Sequence, residues 1–206
     1  MKAGRRSRSS QHGAACALAA AAFGLAAATV KGRGRGLDDR LFKWFNSSLQ
    51  RPALDRFFKG ITELGSLWAS IGAAGAIALR GRRRQAGDAL AAAATTWVMG
   101  QVLKKAWQRV RPFDAGGTYR LLILKPSGAS WPSSHPMVLT AFVIVAGRNL
   151  GLGRAARVSL GALAGLVACS RVYLGVHYPA DVAGGLLLGR ALGDGWSRTI
   201  SPHVVR

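Results

Sequence analysis

Residues 131–147 read "WPSSHPMVLTAFVIVAG". Two serines and a histidine sit between two prolines, directly ahead of an unbroken apolar run. One reading is ordinary local structure: the prolines set a turn and Ser133 caps the helix that follows. The other is that hydroxyls, backbone N–H groups and an imidazole gather round an anion where a helix begins. The rest of the chain decides what the turn is for.

Working outward, the run 136–147 is one of six. Residues 13–30, "GAACALAAAAFGLAAATV", carry no charge and follow a basic start. They suit a first membrane span or a cleaved signal-like segment. Residues 61–79, 89–103, 158–169 and 181–196 are apolar too, most of them ending at Arg or Lys. Several are shorter than the ~20 residues of a comfortable crossing, but flanking basic residues can snorkel and lengthen them. Their many small residues would let helices pack closely. The stretch "LDDRLFKWFNSSL" (37–49) spaces Leu37, Leu41, Trp44, Phe45 and Leu49 as an amphipathic helix, lying at the interface. The expected fold is therefore all-α: a polytopic membrane bundle of five or six spans with an N-terminal interfacial helix. A basic tail (1–12), the first span (13–30), the interfacial region (31–60), the bundle (61–198) and a C-terminal tail (199–206) divide it.

The charge supports a membrane. The chain has 29 Lys and Arg against 8 acids, a formal +21 over 206 residues. Such an excess points to nucleic acid, an anionic membrane surface or an anionic substrate. The basic residues come in short bursts between apolar runs, such as "RGRRR" (80–84) and "KKAWQRVR" (104–111). A soluble nucleic-acid binder would have to bury too many continuous apolar runs, so no specific nucleic-acid partner is expected. With the N-terminus inside, loops 80–85 and 148–157 share the cytoplasmic face with seven Arg and no acid. Segments 104–135 and 171–180 then lie outside, although the basic loop 31–59 lies there as well. Cys16 and Cys169, each within an apolar run, read as small buried residues with free thiols.

The outer loops hold most of the chemistry. Lys104 is followed after six residues by Arg111 and Pro112; Pro132-Ser133-Ser134-His135 comes next; Ser170-Arg171 is followed by His177 and Asp181. Lys104, Arg111 and Arg171 supply three cations, two with planar forks matched to phosphate oxygens. Ser133, Ser134 and the N–H groups at a helix start add neutral donors. Asp181 can hold and polarise the His177 imidazole, and His135 can give a proton to a leaving oxygen. Singly, Lys104 and Arg111 are ordinary snorkelling residues, Ser133 a cap and Asp181 an acid favoured by a helix dipole. Those readings would all have to coincide at one membrane boundary. The remaining histidines, His12 and His203, lie near the termini, no two histidines take ligand spacing on a helix, and the acids are scattered apart from adjacent Asp38 and Asp39, so no metal or other cofactor is expected.

Three motifs in this order, K-x6-R-P, P-S-x-H and S-R-x5-H-x3-D, resemble the type 2 phosphatidic acid phosphatase family, which shares its site with vanadium haloperoxidases. The resemblance covers 104–112, 132–135 and 170–181, inside the family's six-helix membrane bundle. It implies that Lys104, Arg111 and Arg171 bind phosphate, helped by Ser133 and the backbone at Ser134. It also implies that His177 attacks phosphorus, Asp181 orients it, and His135 protonates the leaving group. Ser134 stands where the family usually has glycine; it keeps the N–H and adds a hydroxyl.

The expected activity is metal-independent hydrolysis of a lipid phosphate or diphosphate: undecaprenyl diphosphate, phosphatidic acid or a prenyl-linked sugar phosphate. The expected setting is a multi-pass protein of the cell membrane, rich in anionic lipids, with its site on the extracytoplasmic face. A non-catalytic binder of anionic lipid is the alternative from another class, and vanadate-dependent halide oxidation is a further enzymatic one. Oligomeric state has no signature in the sequence.

Overall fold

A computed structural model of the chain describes residues 3–32, 34–116 and 119–204. The ends of the basic and C-terminal tails, and residues 33, 117 and 118, lie outside that set. Every regular element among the described residues is helical. In chain order they are α1 (Ala3–Ala26, continued by a π turn over Ala27–Lys31), α2 (Arg35–Ser48), α3 (Pro52–Glu63), α4 (Leu67–Leu79), α5 (Arg83–Trp107), a 3₁₀ turn (Pro112–Asp114), α6 (Ser134–Asn149), α7 (Arg154–Tyr173), α8 (Pro179–Thr199) and α9 (Ser201–Val204). Among the described residues two stretches are long and apolar enough to cross a membrane, Gly13–Val30 and Arg154–Tyr173, with the bent pair α3–α4 as a third candidate.

The bundle is organised round a parallel seam between α6 and α8. Three glycines on one stripe of α8 mark it. A Cβ on Gly185 would lie 2.5 Å from the Ser133 carbonyl oxygen, one on Gly189 2.3 Å from that of Met137, and one on Gly193 3.1 Å from the Ala141 Cα. Spaced four residues apart, they let the α8 backbone lie directly on α6. The consequence is positional: the start of α6 is held beside the start of α8, where Ser133 donates its N–H to the Asp181 carbonyl at 3.0 Å. The α1 helix covers this seam, with Ala22 and Ala26 fully buried near Trp131, Met137 and Leu188.

The run 61–79, expected as one apolar span, is broken. Helices α3 and α4 meet at 62° across Leu64, Gly65 and Ser66. The Ser66 hydroxyl accepts the Ala69 N–H at 3.1 Å and starts a new helix. At Gly65 a Cβ would lie 2.6 Å from a Val167 methyl and 2.9 Å from the His135 Cβ, so the turn presses on the start of α6.

In α2 the amphipathic pattern is present, but inverted relative to a soluble protein. Leu37, Leu41 and Trp44 stand exposed, while Asp38, Phe42 and Asn46 are buried. Each buried polar group is matched. Asn46 donates to the Arg120 and Tyr173 carbonyls at 3.0 and 2.8 Å and accepts the Arg120 N–H at 2.9 Å. Asp38 accepts the Ala180 N–H at 2.9 Å. Both cysteines are free, but they are exposed rather than buried, which corrects the reading above. Large apolar residues such as Trp68, Leu79, Val102 and Val158 also turn outward, as expected where the solvent is hydrocarbon.

Candidate active site

The three motifs converge on one end of the bundle. Lys104 lies in the last turn of α5, which stops at Trp107 because Gln108 takes the left-handed conformation (φ 44°). That conformation costs a non-glycine residue about 1 kcal/mol. It folds the chain back, so Arg109 and Arg111 return to the neighbourhood of Lys104. The α6 start brings Ser133, Ser134 and His135; α7 ends with Arg171; the short loop to α8 carries His177; the first turn of α8 carries Asp181. Lys104, Arg111, Ser133, Arg171, His177 and Asp181 are all buried.

The cations are held by carbonyls and a hydroxyl rather than by acids. Lys104 Nζ donates to the Ala129 carbonyl at 2.7 Å. Arg111 donates to the carbonyls of Ser127, Gly128 and Val176 at 3.2, 2.8 and 2.9 Å. Arg171 donates from one terminal nitrogen to the Thr62 hydroxyl at 2.8 Å, across the bend between α3 and α4. Three buried positive charges without an ion pair among the described residues are costly unless an anion completes them.

Donors are available for that anion. Ser133 Oγ, Ser134 Oγ and Arg171 Nε are buried and have no partner among the described residues. Ser133 is the residue before the first turn of α6, yet its side chain makes no capping bond. The ordinary reading of "WPSSHP" as a capped turn therefore fails on the hydroxyl that would have made the cap. A buried hydroxyl left unpaired costs about 1–3 kcal/mol, which a bound oxyanion would offset.

His177 is oriented on both sides. Its Nε2 lies 3.3 Å from an Arg111 terminal nitrogen, and a guanidinium can only donate. The Nε2 lone pair therefore points at the cationic pocket, and the Nδ1 proton faces Ser130 Oγ at 3.4 Å and Asp181 Oδ2 at 3.5 Å. Burial, followed by the charges of Lys104, Arg111 and Arg171, holds the His177 imidazole well below its ordinary pKa, so the ring is neutral. His135, half-buried in the first turn of α6, has its Cβ against the Gly65 turn between α3 and α4.

The sequence reading did not anticipate how Asp181 is held. Its Oδ1 accepts Arg109 at 2.7 Å, and its Oδ2 accepts the Tyr178 N–H at 2.9 Å and the Ser130 hydroxyl. Ser130 thus stands beside the His177–Asp181 contact, which is longer than a direct hydrogen bond. Arg109 also binds Asp38 of α2 at 2.5 Å and lies 4.2 Å over the Tyr178 ring. Arg109 was visible two places before Arg111, but nothing in the sequence separated it from its basic neighbours. Asp38 is 71 residues away from it and gave no signal. Outside Lys104 and Arg111 a cavity of about 580 Å³ opens, lined also by Gln101, Lys105 and Gln108. Among the described residues no three His, Cys, Asp or Glu side chains are grouped as metal donors.

Comparison with known proteins places this arrangement in context. Residues 85–202 match the profile of the PAP2 superfamily. The chain is 33% identical over 148 residues to the decaprenylphosphoryl-5-phosphoribose phosphatase of Mycobacterium tuberculosis, covering 70% of this chain and 80% of that protein. It is 34% identical over 99 residues to an undecaprenyl-diphosphatase of Sulfolobus acidocaldarius, covering 45% and 44% of the two chains. The crystal structure of a transmembrane PAP2-type phosphatidylglycerolphosphate phosphatase from Bacillus subtilis superposes with a TM-score of 0.72 at 29% identity, over 90% of this chain and 96% of that one.

Proposed function

The chain belongs to the PAP2 superfamily, and on that premise we propose that it is a membrane phosphatase that hydrolyses a lipid phosphate or diphosphate through a phosphohistidine at His177. The observation that carries the mechanism is the His177 Nε2 lone pair, aimed at a pocket of three cations and three unpartnered donors. Lys104, Arg111 and Arg171 hold the phosphoryl oxygens, with Ser133 Oγ and the donors of Ser134 completing the cradle. Nε2 forms a bond to phosphorus as the bond to the lipid oxygen breaks, and His135 delivers a proton to that oxygen. Charge that built up on Nδ1–H is balanced through Ser130 and Asp181. Water, deprotonated by His135, then attacks phosphorus, the N–P bond breaks, and phosphate leaves. No step is assigned to a metal.

A polyprenyl-linked phosphate or diphosphate is the first substrate class proposed, in keeping with the names of the two relatives above. The cavity outside Lys104 and Arg111 gives a sugar or diphosphate headgroup room. The proposed topology has six crossings, α1 and α4 to α8, with α2 and α3 lying at the interface and α4 and α6 completed by flanking residues. The arginines at 80–84 and 148–157, taken as cytoplasmic, favour an extracytoplasmic site in this proposal.

The test is a panel of purified lipid phosphates and diphosphates, each scored for released phosphate by the detergent-purified protein and by its His177→Gln variant. Hydrolysis of a polyprenyl substrate that the variant loses supports the proposal. A folded variant with full turnover, or a protein inactive on every member, contradicts it.

A further inference from the structure

The opposite end of the bundle carries a second basic cavity, which the reaction does not use. Its volume is about 340 Å³, within the range of ligand pockets. Arg148 from the end of α6, Arg154 and Arg157 from the start of α7, and Arg190 from α8 surround it, with Asp194 as its one acid. Arg148 is thirteen residues beyond His135 on α6, roughly 20 Å along the helix axis. The cavity and the catalytic pocket are therefore separate.

Its charges do not balance. Asp194 already accepts Arg148 at 2.6 Å and Arg190 at 2.7 Å, and Arg198 stands 3.7 Å from it. Arg154 and Arg157 have no acidic partner among the described residues. Helix α7 begins there with Gly153 before it and no capping side chain, which leaves its first N–H groups without a side-chain acceptor.

An independent observation points into the cavity from its inner end. Thr140 lines it, is only 9% exposed, and its Oγ1 has no partner among the described residues. A threonine within a helix ordinarily bonds back to the carbonyl a turn earlier; this one does not. Between the hydroxyl and the arginine rim run Val143, Ile144 and Val158, and Val158 is exposed on the outer face of α7. A cationic rim over an apolar slot that opens on a candidate membrane-crossing helix matches one kind of molecule.

We propose that this cavity is a binding site for an anionic phospholipid of the membrane leaflet opposite the catalytic end. Its phosphodiester sits among Arg148, Arg154, Arg157 and the α7 N-terminus, and its glycerol and the upper part of one acyl chain enter toward Thr140. The occupant is a lipid rather than a free anion because three apolar walls separate the rim from the hydroxyl. A small anion would contact neither those walls nor Thr140.

The full chain in phosphatidylcholine nanodiscs doped with phosphatidylserine tests this, because phosphatidylserine offers no phosphomonoester to the catalytic end. Retained phosphatidylserine is counted by native mass spectrometry, and affinity is read from the rise in thermal midpoint. The wild type should retain one phosphatidylserine in preference to phosphatidylcholine. Arg154→Gln/Arg157→Gln should weaken that binding by about tenfold or more, and the near-isosteric Thr140→Val by a few-fold, while Arg80→Gln/Arg82→Gln, at the same end but outside the cavity, should leave it unchanged. Equal retention by the Arg154/Arg157 variant overturns the site. So does an equal loss in the Arg80/Arg82 variant, which would show attraction by bulk charge. A midpoint rise with inorganic phosphate in undoped discs that vanishes in the Arg154/Arg157 variant would overturn the lipid as occupant.

Discussion

Arg111 reaches within 3.3 Å of the Nε2 of His177 while its other donors are fixed on three backbone carbonyls. A group that can only donate thus sits against one ring nitrogen, and a hydroxyl and a carboxylate sit against the other. The tautomer follows from that sandwich, and in the proposed mechanism the direction of attack does too. Arg111→Lys keeps the charge but loses the fork that spans those carbonyls. It should lower kcat/KM by about 10²-fold or more, with thermal stability in detergent changed far less. Steady-state kinetics on the preferred lipid phosphate would check it, and unchanged kinetics would show that the fork does not set the ring.

Ser130 touches both His177 and Asp181, and in the proposed mechanism it acts through them rather than on substrate. Ser130→Ala should reduce kcat by roughly 10- to 100-fold and leave KM near its original value. Ser130→Thr, which retains the hydroxyl, should recover part of the loss. A matching rise in KM would place Ser130 in binding instead.

Arg109 binds two buried carboxylates, Asp38 and Asp181. Arg109→Gln leaves both uncompensated and should destabilise the protein by about 3–5 kcal/mol, read as a lowered unfolding midpoint in detergent. Adding Asp38→Asn removes one stranded charge and should restore part of the midpoint. If the double variant is no more stable than the single one, the three groups are not coupled.

The seam between α6 and α8 predicts graded intolerance. Gly189→Ala puts a Cβ at 2.3 Å from the Met137 carbonyl oxygen, whereas Gly193→Ala meets the Ala141 Cα at 3.1 Å. The first must push the helices apart, and overpacking of this kind costs about 1–3 kcal/mol or more; the second needs only a small shift. Expression and thermal midpoints should rank wild type, Gly193→Ala, Gly189→Ala. The reverse order would mean that the helices are not in this register.

A pH dependence follows from His177. Its folded pKa is depressed by burial and then by the Lys104, Arg111 and Arg171 charges, while an unfolded histidine titrates near about 6.5. Below that pH the unfolded chain binds a proton that the folded one refuses. Stability is thus fully present above about 6.5 and falls as pH drops beneath it. The wild-type midpoint should decline over about pH 6.5 to 5 more steeply than that of His177→Gln, because the variant lacks this titration. Parallel slopes would show that His177 is not buried neutral.

How much of this the sequence carried depends on whether a residue's partner lies close along the chain. The three spaced motifs named Lys104, Arg111, Ser133, Ser134, His135, Arg171, His177 and Asp181, and the fold gathers the segments that carry them at one end of the bundle. Arg109 and Asp38 escaped because their meeting is purely tertiary: Asp38 reads as one of two acids on a surface helix until α8 arrives beside it. Ser130 escaped because it lies just before the motif. Helices α5, α7 and α8 extend several residues past their apolar runs because ends bearing charge still form helix, as at Arg83 and Arg154. The bend at Gly65 was missed because glycine in an apolar run is also what close-packed membrane helices contain; only the adjacent His135 Cβ shows why it is there.

The most direct test of the central claim is to stop the reaction early and find the phosphoryl group. The substrate, labelled with radioactive phosphorus in its reacting group, is mixed with the detergent-purified protein, quenched in alkali within milliseconds, digested and sequenced by mass spectrometry. A phosphoramidate at His177, stable to base, lost in acid and absent from His177→Gln, is the predicted result. Phosphate released at the wild-type rate with no label on His177, or label on a different side chain, would contradict it.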